Sequence, residues 1–193
     1  MDLTHVNDTE ITFRAATDGD RTYLKRLYFL AYVFGDEYAE LDAGFETDLP
    51  HYLEEWSADH DGAIIAESNL GVPAGGAWLR FFRGATQGDA YMANRKDPDN
   101  PEERATEHDP RTIPEVCIAV ERRYAGLKVG QELLRRACDL AKEQGAPAIA
   151  LWVDPDNPRA RRLYEREGFE DIDVPGHVDE PTMIKRLRGS TAA

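Results

Sequence analysis

Apolar and polar positions follow two rhythms along this chain, and each change of rhythm marks an element. Val116, Ile118 and Val120 recur at every second position and predict a buried strand over residues 113–120. Leu133, Leu134, Ala137, Cys138 and Ala141 then follow at helical spacing, with Gly145 and Pro147 placed to end that helix. Between them, residues 124–130 form a glycine-bearing turn that carries the strand almost directly into the helix. Such a turn leaves backbone N–H groups unpaired at the positive end of the helix dipole, an anion site suited to a pyrophosphate.

The same rhythms divide the rest of the chain. A strand is predicted at 10–15, then a helix at about 20–33 with Asp18 as N-cap and Leu24, Leu27, Tyr28, Ala31 and Tyr32 on one face. A second helix is expected near 48–56, and strands at 63–67 and about 75–82 joined by a turn at 68–73. Beyond the long helix come a strand at 148–153 and a last helix with Asn157 as N-cap, Pro158 at its first position and Gly168 at its end. Strands near 169–174 and 182–187 and a loose tail at 189–193 complete the pattern. One stretch, 83–111, has neither rhythm; its Asp, Pro and Glu content favours mobility, and it reads as an insertion between two strands.

The turn contains neither Gly-x-Gly-x-x-Gly nor Gly-x-x-x-x-Gly-Lys-Ser/Thr, so neither familiar phosphate fingerprint is present. Its sequence, Val120-Glu-Arg-Arg-Tyr124-Ala-Gly126-Leu-Lys-Val-Gly130-Gln-Glu-Leu133-Leu134, resembles the acetyl-CoA motif of the GNAT superfamily of N-acetyltransferases. Val120, Tyr124, Gly126, Val129, Gly130 and the leucine pair match, whereas Ala125 replaces an Arg or Gln and Lys128 replaces a Gly. Residues 148–169 resemble the following family segment, with Asn157, Ala160, Leu163, Tyr164, Gly168 and Phe169 on its spacing. The resemblance implies an α+β fold: a mixed, mostly antiparallel sheet of about seven strands flanked by about four helices. It implies one domain over 1–193, with the polar insertion at about 84–111.

Composition adds little to that and charge adds more. A chain of 193 residues with 41% hydrophobic and 31% charged positions suits a globular domain, and no apolar run approaches a membrane span. The first ten residues lack the basic and apolar parts of a signal peptide, so a cytoplasmic protein is expected, with Cys117 and Cys138 as free buried thiols. The net charge of −14 is uneven: residues 1–112 carry 10 basic and 23 acidic side chains, net −13, and residues 113–193 carry 13 and 14, net −1. A polyanionic cofactor is tolerated in the second half, where Arg122, Arg123, Lys128, Arg159, Arg161 and Arg162 lie, and nucleic acid is not expected. No Lys or Arg occurs between Arg26 and Arg80, while Asp36, Glu37, Glu40, Asp42, Glu46, Asp48, Glu54, Glu55, Asp59 and Asp61 do. That run is either a negative vestibule drawing cationic amines or a solvated face.

The resemblance supplies the chemistry to look for. Acetyl transfer from acetyl-CoA to a primary amine of a small molecule or peptide, by direct attack in a ternary complex, needs a neutral amine and a proton for the leaving thiolate. Tyr164 matches the family's general acid, and Glu115, at the start of the buried strand, is the candidate base. For the cofactor, the backbone of Ile118, Ala119 and Val120 is expected to pair with the pantetheine arm. The turn Ala125, Gly126, Leu127, Lys128, Val129, Gly130 and Gln131 is expected to hold the pyrophosphate, and Asn157 to contact the arm. The five histidines are scattered, and no metal site is expected. A GNAT-fold sensor that binds acyl-CoA without turnover is the alternative, motivated by Ala125 and Lys128; a homodimer stays open.

Overall fold

A single ladder contact joins two halves of one sheet, and the fold is arranged around that junction. The computed structural model describes residues 10–82, 88–90, 95–97, 100–104, 113–174 and 177–187. Most of the stretch expected to be mobile, and the tail from 189, lie outside the described residues. The elements in order are β1 (Ile11–Ala15), α1 (Arg21–Tyr32), α2 (Ala43–Leu49), β2 (Ala63–Ser68), β3 (Pro73–Arg80), β4 (Arg95–Asp97), β5 (Asn100–Arg104), β6 (Glu115–Val120), α3 (Val129–Glu143), β7 (Ala148–Trp152), α4 (Pro158–Arg166), β8 (Glu170–Val174) and β9 (His177–Arg186). Seven strands form one mixed sheet in the order β1-β2-β3-β6-β7-β9-β8, and β4 pairs with β5 inside the polar insertion. This is the expected α+β architecture, with a small hairpin added where no regular structure was foreseen.

Every strand pair in the large sheet is antiparallel except β6 with β7, whose parallel register is confined to Glu115 opposite Ala150. The amide of Ala150 donates to the carbonyl of Pro114 at 2.9 Å, after which the strands part. β6 stays paired to β3 along its whole length and β7 to β9, so the rest of β6 presents a free edge toward β7.

Side-chain alternation on β6 sorts the two faces as its period predicts. Val116, Ile118 and Val120 join the cluster under α3 and α4, built on Leu133, Leu134, Ala137, Cys138 and Ala141. Cys117 and Ala119 turn to the opposite face, under α1 and α2, with Leu24, Leu27, Tyr28, Phe45, Tyr52 and Trp78. A third cluster sets Ala90 and Ile113 against β7 and β9.

Two expectations about helix starts are corrected. Asp18 does not cap α1: it sits in a short 3-10 turn bracketed by a reciprocal Thr17–Asp20 capping box, and its carboxylate binds Arg21 and the amide of Ala58. The second helix begins earlier than 48 because Asp42 is a strong N-cap, accepting from the amides of Gly44 and Phe45. It then continues through Pro50–Glu54 as a π turn, where the wider backbone ring tolerates a proline that an α-helical interior would not.

That π turn is held from outside. Arg80 donates to the carbonyl of His51 at 2.6 Å, and Arg21 donates to the carbonyls of Leu53 and Trp56 at 2.5 and 2.7 Å. Arg80 is itself fixed by Asp61, whose carboxylate also accepts from the amides of Phe81 and Ser57. Both side chains are buried. Replacing Asp61 by Ala strands a buried guanidinium and is expected to cost about 3–5 kcal/mol in urea unfolding. Adding Arg80→Leu should restore part of that loss, and a double variant no more stable than the single would refute the account.

Candidate active site

Where β6 and β7 part, a cavity of about 1000 Å³ opens through the sheet. One wall is β6 from Val116 to Val120; the other is Trp152, Val153, Asp154 and the start of α4 with Asn157, Ala160 and Tyr164. Its ends differ in chemistry. Toward α3 it is lined by turn backbone with Arg122, Lys128 and Arg159, and toward α1 and α2 by Tyr28, Tyr32, Tyr52, Asp42, Asp48 and Asp89.

The turn after β6 leaves most of the amides expected to form an anion site without an acceptor. Gly126 takes φ +87° and Lys128 φ +61°, the second a left-handed conformation that a side chain adopts at a cost of about 1–2 kcal/mol. These two reversals aim the following amides along the α3 axis. Among the described residues, the N–H groups of Gly126, Lys128, Val129, Gly130 and Gln131 have no acceptor. Those of Ala125 and Leu127 do: they donate to the carbonyls of Arg122 and Tyr124. Leu127 is also absent from the cavity wall, its side chain 44% exposed. Gln131 contributes backbone alone, because its side-chain amide donates to Glu167, which also holds Arg135.

Asn157 does two things at once. Its Oδ1 caps α4 by accepting from the amide of Ala160 at 3.1 Å, and the residue stands on the cavity wall, leaving its NH2 group without a described partner. Two turns on, Tyr164 packs its ring near Phe169 and lines the cavity. No described residue hydrogen-bonds its hydroxyl. Burial pushes the phenol well up, so it stays protonated at any working pH.

Glu115 lies at the junction where the two strands separate, and only 2% of it is exposed. One carboxylate oxygen accepts from the Tyr52 hydroxyl at 2.8 Å and the other from the amide of Ala90 at 3.1 Å. The Tyr52 oxygen in turn accepts from the amide of Asp89 at 2.7 Å. Burial pushes the carboxyl up to about 8, with the charge of Asp89 acting the same way, while the two hydrogen bonds and Arg80 hold it down. Cys117, two residues on, is half-buried; burial drives its thiol up, keeping it unionised.

The acidic run is narrower in its effect than its length suggested. Of the eleven carboxylates between Arg26 and Arg80, Asp42 and Asp48 line the cavity. Asp61 is spent on Arg80, Glu37 on Arg26, and Glu55 reaches Arg80 at 3.6 Å. Asp42 is held low chiefly by the Tyr32 hydroxyl, whereas burial raises Asp48. On the basic side Arg161 is likewise spent, on Glu165 and Asp171. Sequence reasoning missed Tyr52 and Asp89. Tyr52 lay inside a predicted helix and Asp89 inside the insertion, and no local spacing connects either to Glu115.

A model of the acetyltransferase (GNAT) family matches residues 23–169. A mycothiol acetyltransferase of Beutenbergia cavernae is 35% identical over 57 residues, which is 30% of this chain and 19% of that protein; the chain thus matches about a fifth of that relative's length. A GNAT acetyltransferase of Staphylococcus aureus Mu50 superposes with a TM-score of 0.62 at 17% identity, over 92% of this chain and 99% of the other. The yncA protein of Salmonella typhimurium, solved with acetyl-CoA, gives 0.58 at 18% over 95% and 98%. Spermidine N-acetyltransferase of Vibrio cholerae, solved with CoA and spermine, gives 0.54 at 19% over 93% and 96%.

The state of Glu115 can be read from stability. Its unfolded value is 4.5, so between there and about 8 the folded chain holds the proton more firmly than the unfolded chain. Folding stability contributed by this group is therefore complete below the lower value and is lost as pH rises through the upper one. Glu115→Gln, neutral throughout, should gain urea stability relative to wild type between about pH 5 and about pH 9. Parallel pH profiles for the two proteins would show a carboxylate already ionised in the fold.

Proposed function

The chain belongs to the acetyltransferase (GNAT) family, and from that premise we propose that it moves an acetyl group from acetyl-CoA to a primary amine of a small molecule or peptide. One observation carries the reading: Tyr164, its hydroxyl bonded to no described residue, lines the same cleft as the β6 edge that β7 leaves unpaired and the α3 turn.

The residues fit the cofactor's parts in order. Five unpaired amides at the start of a 15-residue helix suit a diphosphate, with Lys128, Arg122 and Arg159 adding charge. The free edge at Ile118, Ala119 and Val120 offers backbone donors and acceptors to the amides of a pantetheine arm, as an added strand would find them, and the Asn157 NH2 faces the same space. Acetyl-CoA, when bound, supplies an activated thioester. The chain's own residues then orient it, shield it from water, and hold protons at two oxygens: Glu115 takes the proton that the acceptor ammonium must lose before its nitrogen attacks, and Tyr164 donates toward the leaving sulfur.

The acceptor enters from the other end, between aromatic rings and the carboxylates of Asp42, Asp48 and Asp89. That lining favours a cationic small amine. The unpaired Cys117 and Cys138 suit a reducing, cytoplasmic setting.

Thiol release from acetyl-CoA over 1,4-diaminobutane, benzylamine and a lysyl peptide tests the reaction. Tyr164→Phe should lower kcat by about 10²–10⁴ while acetyl-CoA still raises the melting temperature. Binding without turnover of any amine by the wild type would favour a sensor. For the acceptor end, Asp48→Asn should raise KM for the diamine by up to about fivefold, more than for benzylamine, the size of one partly exposed charge contact. The difference should shrink with added salt, and equal effects on both amines would remove Asp48 from recognition.

A further inference from the structure

Glu115 is the candidate base, yet its two oxygens are already occupied. Tyr52 binds one and the amide of Ala90 the other. Gly88 closes over the same group so tightly that a Cβ there would stand 2.2 Å from a carboxylate oxygen and 2.3 Å from the Phe82 ring. Glycine is required at 88 by that contact, which makes the segment 88–90 a fitted cover. An incoming amine thus meets a carboxylate capped by backbone on one side and by a phenol on the other.

The phenol is itself placed for transfer. Its ring stacks on Tyr28 with centroids 5.5 Å apart and lines the acceptor end of the cavity. A hydroxyl has one proton and two lone pairs. The proton goes to Glu115 and one lone pair accepts from the amide of Asp89, which leaves one lone pair. The π turn holds the ring there through the carbonyl of His51 on Arg80.

We propose that Tyr52 is a proton relay: its oxygen takes a proton from the acceptor ammonium as its own proton passes to the Glu115 carboxylate. This rests on the acetyl-transfer reading. The bookkeeping closes without any further reagent. The ammonium gives up one proton through Tyr52 to Glu115, which later releases it to water. The freed lone pair forms the C–N bond to the acetyl carbon, and the C–S bond breaks with its electrons going to sulfur. Tyr164 protonates that sulfur and is restored by the second proton leaving nitrogen. The groups facing this pair are Arg80 on β3, Asp89 in the cover, Cys117 on β6 and Tyr28 on α1, so the carboxylate titrates among one cation and one other anion.

The test is kcat/KM against pH for wild type and Tyr52→Phe, using the fastest of the three acceptors, with the acetyl-CoA melting shift confirming that each protein is folded. Removing the hydroxyl takes away a hydrogen bond to the carboxylate, so the acidic limb should move up. The high-pH plateau should also fall, by about a hundredfold. A hydroxyl that only tunes Glu115 would move the limb and leave the plateau intact, and that result overturns the relay alone. Should Tyr52→Phe not fold, plateau rates in mixed H2O and D2O decide. Two protons moving together bow the wild-type curve, and the bow should straighten in Glu115→Gln; equal curvature in both overturns the relay. Wild-type protein that binds acetyl-CoA and acetylates none of the amines overturns the acetyl-transfer reading, and the relay with it.

Discussion

A sheet cannot leave half a strand edge buried and unpaired without something to occupy it. That constraint governs this molecule. β6 and β7 share one residue pair, Glu115 with Ala150, then diverge because each is committed elsewhere, β6 to β3 and β7 to β9. The backbone groups released along β6 face a cavity, and the α3 amides just beyond face the same cavity. Backbone that could have closed a continuous sheet is left open, and on the acetyl-transfer reading it meets a ligand with amides of its own and a diphosphate at one end. The rest of the fold keeps the two halves from collapsing: three apolar clusters hold the sheet from both faces while the gap lies between them.

Placing a carboxylate at the pivot has consequences in two directions. Glu115 sits where water is scarce, so its ionised form is disfavoured and the fold is weakened whenever it ionises. The same burial brings its proton affinity near the pH at which a base must both accept and release. The supports are distant in sequence: Tyr52 reaches it from a π turn 63 residues earlier and the amide of Ala90 from 25 residues earlier. Arg80, pinned by Asp61, holds the π turn in position. Stability invested in the Asp61–Arg80 pair is thereby coupled to the geometry of the site.

What could be read from the sequence was local, and what could not was the pairing of distant side chains. The strand into α3, its glycine turn, and the Asn157–Pro158 start of α4 are each set by residues within one or two turns, and all three stand as expected. Glu115 and Tyr164 were singled out because a motif carried them. The acidic run stayed undecided because a charge's role depends on its partner: Asp61 has Arg80 and Glu37 has Arg26, neither visible in spacing. α2 was placed late because the Asp42 cap lay in a stretch without helical periodicity. Ala125 and Leu127 were counted as phosphate ligands because the turn was taken whole. The amides of these two residues are engaged inside the turn, by the carbonyls of Arg122 and Tyr124.

Lys128 shows how such a turn can depart from its pattern and keep its purpose. A left-handed residue is needed there to swing the amides of 128–131 onto the helix axis, and glycine would adopt it without strain. Lysine accepts a penalty of about 1–2 kcal/mol for the same backbone. Packing gives no reason for it, since the side chain stands at the cavity edge and not in the core. Its charge does: the first 112 residues carry net −13, a field that repels a polyanion, and Ala125 leaves no side chain at its own position to cover a phosphate. A cation fixed at the head of α3 offsets that repulsion where the helix dipole already favours an anion. On the acetyl-transfer reading, the strain at 128 answers the acidity of the opposite end of the cavity: a chain that lines that end with Asp42, Asp48 and Asp89 needs positive charge where a diphosphate would sit.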